Sequence, residues 1–240
     1  MSPGEKLLLL VNQNCRLNLP APDTIGGACG PRHGKMPGMA GPTRQFWQEK
    51  FEQRTTPWDR GAPSPQLVNW LDAGLLAPCR IAVPGCGSGH EVVLLAQRGF
   101  EVVALDYASA AVERTHAALA AAGATALVIE ANVLDWQPDA PFDAVYEQTC
   151  LCALHPDYWV NYAIALHGWL APAGRLFALF MQGWRKGAAE GQIEGPPYHC
   201  DINAMRALFD ASRWNWPKPP YARIDHPMGI AELAVMLSRR

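Results

Sequence analysis

The pattern of hydrophobic and polar positions becomes regular at Gln45 and stays regular to the end of the chain. Short continuous apolar runs, typical of buried strands, alternate there with apolar residues at helical spacing. The pattern predicts helices over 44–54, 64–76, 90–99, 109–123, 157–170 and 202–212, and strands over 80–84, 101–106, 126–132, 142–148 and 175–181. Two more strands, over 221–227 and 230–238, are predicted to close the fold as an antiparallel pair.

Strands that alternate with helices of about 10–15 residues indicate parallel crossover units. The sequence therefore predicts an α/β protein with a doubly wound, mostly parallel sheet of seven strands. A ligand of such a sheet binds at the carboxyl ends of the strands, near the point where the strand order reverses.

The first part of the chain has a different composition. Residues 1–42 are rich in glycine and proline and show no hydrophobic period, so they bury too little apolar surface to offset the entropy of ordering. We therefore expect a disordered leader over 1–42 and one folded domain over 43–240. Met36 and Met39 are alternative initiators just before the first regular segment.

Composition excludes several classes of protein. A hydrophobic fraction of 49% in 240 residues supplies a core for one domain. Twenty basic and 22 acidic residues leave a net charge of −2, unlike the basic surface of a nucleic-acid binder. The seven cysteines are scattered along a long chain, which predicts reduced thiols and a cytoplasmic location. No apolar run approaches the ~20 residues of a membrane span, so no membrane partner is expected.

A glycine-rich turn follows the first predicted strand, in the segment PGCGSGHEVVLLAQRGFEVVALD over 84–106. A dinucleotide fingerprint needs a third glycine at position 90, which is His90 here, whereas Gly85, Gly87 and Gly89 form a G-x-G-x-G turn. That turn favours S-adenosylmethionine, whose carboxylate can accept from exposed N–H groups. A nicotinamide-dependent reductase and a binding module without turnover are the rival hypotheses.

The ends of the next strands supply further candidate contacts. Asp106 ends the second strand, about 20 residues after the glycines, where a carboxylate can accept both ribose hydroxyls. Asn132 and Val133, after the third strand, are predicted at the adenine edge. The fourth strand ends at the point that faces the sulfonium. Cys150, Cys152 and His155 are too few for a tetrahedral zinc site, so no metal is predicted.

Four segments of the sequence resemble a known family. FWQEKFEQRTTPWDRGAPSPQL, the glycine-turn segment, FDAVYEQTCLCAL and GPPYHCD stand in the order and spacing of the thiopurine S-methyltransferase family, closest to its thiol and halide (thiocyanate) methyltransferase branch. The resemblance covers Gln45 to the C-terminus. It implies the class I S-adenosylmethionine-dependent methyltransferase fold with an N-terminal helical lid, and a monomer or weak dimer.

The resemblance also implies an activity. The expected reaction is methyl transfer to a small soft nucleophile: a thiol, thiocyanate or halide, with thiopurines as a further class. A methyltransferase for another small oxygen or nitrogen acceptor is the alternative. A thiol is already partly thiolate at neutral pH and a halide needs no deprotonation, which disfavours a general-base role for Glu147.

Residues of the family's motifs carry over to this chain. The implied cofactor-binding residues are Trp47, Phe51, Trp58, Gly85, Gly87, Asp106, Asn132, Val133, Glu147 and Gln148. Trp47 and Trp58 are predicted to close over the cofactor and attract its sulfonium through their ring faces. The predicted catalytic residues are Tyr198, whose hydroxyl would orient the nucleophile from the stiff GPPY loop, and Glu147, which would anchor the cofactor's ammonium group or the substrate.

Overall fold

The computed structural model of the chain describes residues 40–190 and 192–240. Residues 1–39 of the predicted leader therefore lie outside the described residues. The helices are α1 (Arg44–Glu52), α2 (Pro65–Asp72), α3 (His90–Gln97), α4 (Ser109–Ala122), α5 (Trp159–Trp169) and α6 (Ile202–Leu208). The strands are β1 (Arg80–Pro84), β2 (Glu101–Asp106), β3 (Leu127–Glu130), β4 (Phe142–Gln148), β5 (Leu170–Gln182), β6 (Trp214–Asn215), β7 (Ala222–Asp225) and β8 (Ala231–Arg239). Short 3₁₀ helices cover Leu151–Ala153, Pro156–Tyr158 and Lys186–Glu190.

The predicted doubly wound sheet is confirmed. Its strand order is β3-β2-β1-β4-β5-β8, with the first five strands parallel and β8 antiparallel to β5. Both β6 and β7 pair with β8 on its other side, at opposite ends. The sheet is therefore seven strands wide, as predicted, and the eighth strand in the described residues is the two-residue β6, which the sequence pattern did not predict. The strand order reverses between β1 and β4.

The core consists of two layers, one on each face of the sheet. Side chains of β5 alternate between them: Phe177 and Leu179 pack with α2, α3 and α4, whereas Ala178 and Phe180 pack with α5 and α6. This alternation follows from the period of two in a strand. Because helices cover both faces, polar groups can gather only along the edge where the strands end.

Two strands differ in length from the prediction. β3 stops at Glu130, before the predicted end, because the Asn132 side chain accepts a hydrogen bond from the Leu134 N–H at 3.1 Å and starts a turn. β5 begins at Leu170, and the predicted turn over 171–174 is a bulge within it, where Ala173 adopts φ +62°.

No helix among residues 40–190 and 192–240 has the length and apolar character that crossing a membrane requires.

Candidate active site

A cavity of about 340 Å³ lies at the carboxyl ends of the parallel strands, at the predicted switch point. This volume lies within the range of small-molecule pockets. Nine of the ten predicted cofactor residues line it: Trp47, Phe51, Trp58, Gly85, Gly87, Asp106, Asn132, Val133 and Gln148. Ala40 and Pro42 line it as well, so the last residues of the predicted leader contact this cavity.

The glycine turn brings bare backbone to the cavity. Gly85 has φ +66° and Gly87 has φ +56°, a region that favours glycine. A Cβ on Gly85 would lie 3.0 Å from the Cβ of Cys150, so no larger residue fits there without movement. The turn thus lets a ligand approach the backbone closely, although the Gly87 N–H itself donates to Asp106.

Asp106 anchors this turn from the end of β2. Its carboxylate accepts hydrogen bonds from the Gly87 N–H at 2.9 Å and the Ala108 N–H at 3.0 Å. Burial raises the pKa of Asp106, and these two backbone hydrogen bonds offset part of that rise. A carboxylate has about four lone-pair positions, so two remain for the hydroxyls of a ribose. The residues present therefore fit the nucleoside of S-adenosylmethionine.

Three aromatic rings form one wall of the cavity. Thr43 caps α1, which carries Trp47 and Phe51, and Trp58 follows in the next loop. The Trp58 ring meets Trp47 at 5.6 Å and Phe51 at 6.1 Å, both edge to face. Such a cluster holds its rings in fixed directions. It can attract a sulfonium with about 0.5–2 kcal/mol per well-placed ring.

Asp59, next to Trp58, fastens this wall to the glycine turn. Its carboxylate accepts hydrogen bonds from the Ser88 hydroxyl at 2.5 Å and the Gly61 N–H at 2.7 Å, and it lies 2.9 Å from His90 Nε2. Burial raises the pKa of Asp59, but the hydrogen bonds from Ser88 and Gly61 and the charge of His90 outweigh it, so the pKa is lowered. Sequence reasoning did not assign Asp59 a role, although it stands in the TPWD motif.

Replacing Asp59 by asparagine is expected to weaken S-adenosylmethionine binding about 2- to 10-fold. The reason is that a charge-assisted hydrogen bond of a partly exposed carboxylate contributes about 1.5 kcal/mol or less. The asparagine keeps the shape but places an amide donor against the donors Ser88 or His90. Isothermal titration calorimetry measures the change. The control is Asp72→Asn. Asp72 lies on α2, and this variant loses an exposed ion pair with Arg98. Equal affinities of both variants would show that Asp59 does not hold the wall.

Asn132 and Val133 also line the cavity. The Asn132 amide donates to Asp135 Oδ2 at 2.7 Å, and its oxygen accepts from the Leu134 N–H. The oxygen keeps one free lone pair, in agreement with the contact predicted to an adenine amino group. Val133 is buried and supplies an apolar surface.

A buried polar network continues from Gln148 at the end of β4. Its amide donates to both oxygens of Glu232, at 3.1 and 3.2 Å, and accepts from the Tyr146 hydroxyl at 2.7 Å. Arg60 Nη2 donates to Glu232 at 2.9 Å. Burial raises the pKa of Glu232, while Gln148 and Arg60 lower it. Sequence reasoning missed both Arg60 and Glu232.

The two predicted catalytic residues lie beside the cavity wall and are not among its lining residues. Glu147 is 1% exposed and accepts from the Leu151 N–H at 2.7 Å, and burial raises its pKa to about 7. Tyr198 is 5% exposed and its ring packs edge to face on His155, while its backbone N–H donates to Cys152 O at 2.8 Å. Its neighbours Pro196 and Pro197 line the cavity instead. The catalytic roles of Glu147 and Tyr198 stay predictions.

The cysteines near the cavity are buried thiols. Burial raises the pKa of Cys150 and of Cys152 well above the ordinary value, so both stay protonated. The five cysteines of the described residues are free. Within those residues, no group of three or more His, Cys, Asp or Glu side chains is arranged to hold a metal ion.

Comparisons with known proteins identify the family of the chain. The model of the family "Thiopurine S-methyltransferase (TPMT)" matches residues 42–225. Thiocyanate methyltransferase 1 of Arabidopsis thaliana is 29% identical over 165 residues, which is 68% of this chain and 70% of that protein. Probable thiol methyltransferase 2 of the same plant is 33% identical over 166 residues, with the same two shares.

A solved structure shows the same fold. The 1,6-didemethyltoxoflavin-N1-methyltransferase of Burkholderia thailandensis, with bound S-adenosylhomocysteine, aligns with a TM-score of 0.66 at 18% identity, over 82% of this chain and 86% of that one. The predicted class I methyltransferase fold is thereby confirmed. Since the family model spans most of the chain, the protein belongs to the thiopurine S-methyltransferase family and is an S-adenosylmethionine-dependent methyltransferase.

Proposed function

We propose that the protein methylates a small soft nucleophile of the thiol, thiocyanate or halide class. The observation that carries the proposal is the cavity itself. Its lining is mostly apolar, which suits a weakly hydrated acceptor. The lining includes the sulfur-containing side chains of Met181, Met228 and Cys152, which are polarisable and suit a soft acceptor. The names of the two Arabidopsis relatives support the same class of acceptor.

The ten predicted cofactor residues would contact different parts of the cofactor. Asp106 would accept the ribose hydroxyls, the turn at Gly85 and Gly87 would meet the amino-acid carboxylate, and Asn132 and Val133 would hold the adenine. Bound there, S-adenosylmethionine supplies a methyl group on a sulfonium sulfur, which leaves as a neutral thioether when the acceptor's lone pair forms the new bond.

The chain's own contribution to the rate is orientation and exclusion of water. Trp47, Phe51 and Trp58 would cover the methyl group and align it with the acceptor, a step that converts a bimolecular encounter into an oriented one. A thiolate or thiocyanate loses much of its hydration in a cavity with apolar walls, which increases its reactivity. A thiol pKa near 8.5 already supplies some thiolate at neutral pH.

The direct test is incubation of the protein with methyl-labelled S-adenosylmethionine and one acceptor at a time. The panel contains alkyl and aryl thiols, thiocyanate, iodide, thiopurines, a catechol and a primary amine. We expect labelled methyl products with members of the first three groups, and Asp106→Ala as the control should reduce all of them. Turnover only with the catechol or the amine would favour the alternative of an oxygen or nitrogen acceptor.

We further propose that the protein works in the cytoplasm, as a monomer or weak dimer, on free small molecules and without nucleic-acid or membrane partners. The near-neutral charge of −2 and the free cysteines of the described residues support this. Light scattering across a concentration series would measure the oligomeric state, and a stable tetramer would contradict the proposal.

Replacing Tyr198 by phenylalanine is expected to lower kcat/KM for the best acceptor about 10-fold, roughly 1.4 kcal/mol of transition-state stabilisation. The reason is loss of the hydroxyl that would orient the nucleophile from the loop behind Pro196 and Pro197. Cofactor affinity and melting temperature should stay within error, since the ring still packs on His155. Equal kinetics of variant and wild type would make Tyr198 a packing residue.

A further inference from the structure

Arg60 is a basic residue of the cavity wall whose position a buried partner fixes. Its Nη2 donates to Glu232 Oε2 at 2.9 Å, across 172 residues of sequence. Glu232 is fully buried, whereas the Arg60 side chain is 15% exposed and lines the cavity. Gln148 donates to the same carboxylate. The Glu232 carboxylate therefore accepts hydrogen bonds from both Arg60 and Gln148, and it holds the Arg60 guanidinium against the start of β8.

The guanidinium is only partly satisfied. In the part of the chain that the structure describes, Nη2 is the only Arg60 nitrogen with a hydrogen-bond partner, and Nε is buried without one. A guanidinium has five N–H donors in a rigid fork. The exposed remainder of the fork, on a residue that lines the cavity, is available to an incoming acceptor group.

The other basic residues that line the cavity are Lys50, His90 and His155, of which His155 contacts Asp157. Lys50 Nζ lies 5.5 Å above the Phe46 ring, and His90 contacts Asp59. The acidic Glu91 also lines the cavity, but its carboxylate accepts from the Ser64 N–H at 3.0 Å. An anion that binds Arg60 would contact a guanidinium whose position Glu232 fixes. Met181 and Met228 also line this cavity, and in such weakly polar surroundings charge–charge attraction is stronger than in water.

We propose that Arg60 is a specificity-determining residue that binds the acceptor as an anion, through the part of its guanidinium that Glu232 leaves free. Glu232 and Gln148 are positioning residues, since they act on the acceptor only through Arg60. This inference rests on the proposed function and narrows it: thiolate and thiocyanate are bound in preference to uncharged acceptors of similar size.

The test separates anion binding from methyl transfer. Arg60→Gln alone would leave the Glu232 carboxylate buried without its cation, which is strongly destabilising. The double variant Arg60→Gln/Glu232→Gln removes both charges together and is the main variant. Arg60→Lys keeps the charge but not the fork. Arg98→Gln is the matched control, because Arg98 pairs with Asp72 on the protein surface.

The first readout is binding of thiocyanate and iodide to the protein saturated with S-adenosylhomocysteine, measured by calorimetry and by quenching of tryptophan fluorescence. We expect the double variant to bind thiocyanate at least 10-fold more weakly than the wild type. Arg98→Gln should match the wild type, and the affinity for S-adenosylhomocysteine should change by less than about threefold. Equal thiocyanate affinity of wild type and double variant would overturn the proposal, as would no anion binding by the wild type.

The second readout is steady-state kinetics with one anionic and one uncharged acceptor, thiocyanate and dimethyl selenide. In the double variant, KM for thiocyanate should rise at least 10-fold while KM for dimethyl selenide changes by less than about threefold. A parallel rise for both acceptors would mean that Arg60 shapes the cavity without recognising charge, and would overturn the proposal. A wild-type protein that binds thiocyanate at Arg60 but methylates no soft acceptor would support this inference and contradict the proposed function.

Discussion

Replacing Asp106 by alanine is expected to weaken S-adenosylmethionine binding about 10- to 150-fold, a loss of about 1.5–3 kcal/mol. The variant removes the carboxylate that would accept the ribose hydroxyls. It also leaves the Gly87 and Ala108 N–H groups without their acceptor, so the glycine turn loses the contact that sets its position. Both losses weaken cofactor binding, and isothermal titration calorimetry measures the total change in affinity.

The matched control is Asp201→Ala. Asp201 also accepts two backbone N–H groups, from Asn203 at 2.9 Å and Ala204 at 3.1 Å, as the cap of α6. It does not line the cavity, so its loss should lower the melting temperature by a few degrees and leave cofactor affinity unchanged. A folded Asp106→Ala variant with wild-type affinity would place the ribose elsewhere and contradict the assignment of β2.

The fold and the cofactor half of the site could be predicted because their signals are local in sequence. The apolar runs over 80–84 and 101–106 fix two neighbouring parallel strands, and the intervening glycines fix the turn that joins β1 to α3. Because the carboxyl ends of parallel strands meet at one edge of the sheet, the correct fold alone predicts that Gly85 and Asp106 lie close together. Their predicted neighbourhood needed no knowledge of side-chain packing.

The proposed acceptor half depends on contacts between distant segments, which no local pattern encodes. Arg60 meets Glu232 only because β8 inserts beside β5 and the loop after α1 folds over its end. One signal was present: Glu232 is a carboxylate in the otherwise apolar run IAELAVML. A buried charge requires a partner, so that run alone indicated a hidden cation, although not which one.

The positions of Tyr198 and Glu147 beside the wall have a similar cause. The end of β4 places Glu147 correctly, but alternation along the strand turns its side chain away from the cavity while Tyr146 and Gln148 face it. The segment FDAVYEQ does not alternate apolar and polar residues, so it does not show which side chains face the cavity. Only the packing of helices on each face determines which set of side chains is turned to the ligand.

Replacing Gly89 by alanine is expected to destabilise the protein by about 2–5 kcal/mol. Gly89 caps α3 with φ +80°, and a Cβ there would lie 2.9 Å from the backbone Cα of Thr115 on α4. Strain at positive φ costs about 1–2 kcal/mol and overpacking about 1–3 kcal/mol. The close approach that a dinucleotide fingerprint assigns to its third glycine therefore falls to Gly89 here, one residue before His90, and it is made to a neighbouring helix.

Gly123→Ala separates the two terms. Gly123 ends α4 with φ +61°, and no atom lies within 4 Å of the Cβ it would carry, so this variant should show the strain alone. Denaturant unfolding of both variants measures the difference, which we expect to be at least about 1 kcal/mol. The Gly89 variant should also bind S-adenosylmethionine more weakly, because Thr115 donates to Gly87 O and cannot retreat without moving the turn. If the Gly89 variant were no less stable than the Gly123 variant, the approach of α3 to α4 would be looser than 2.9 Å implies, and the turn would owe its position to Asp106 and Asp59 alone.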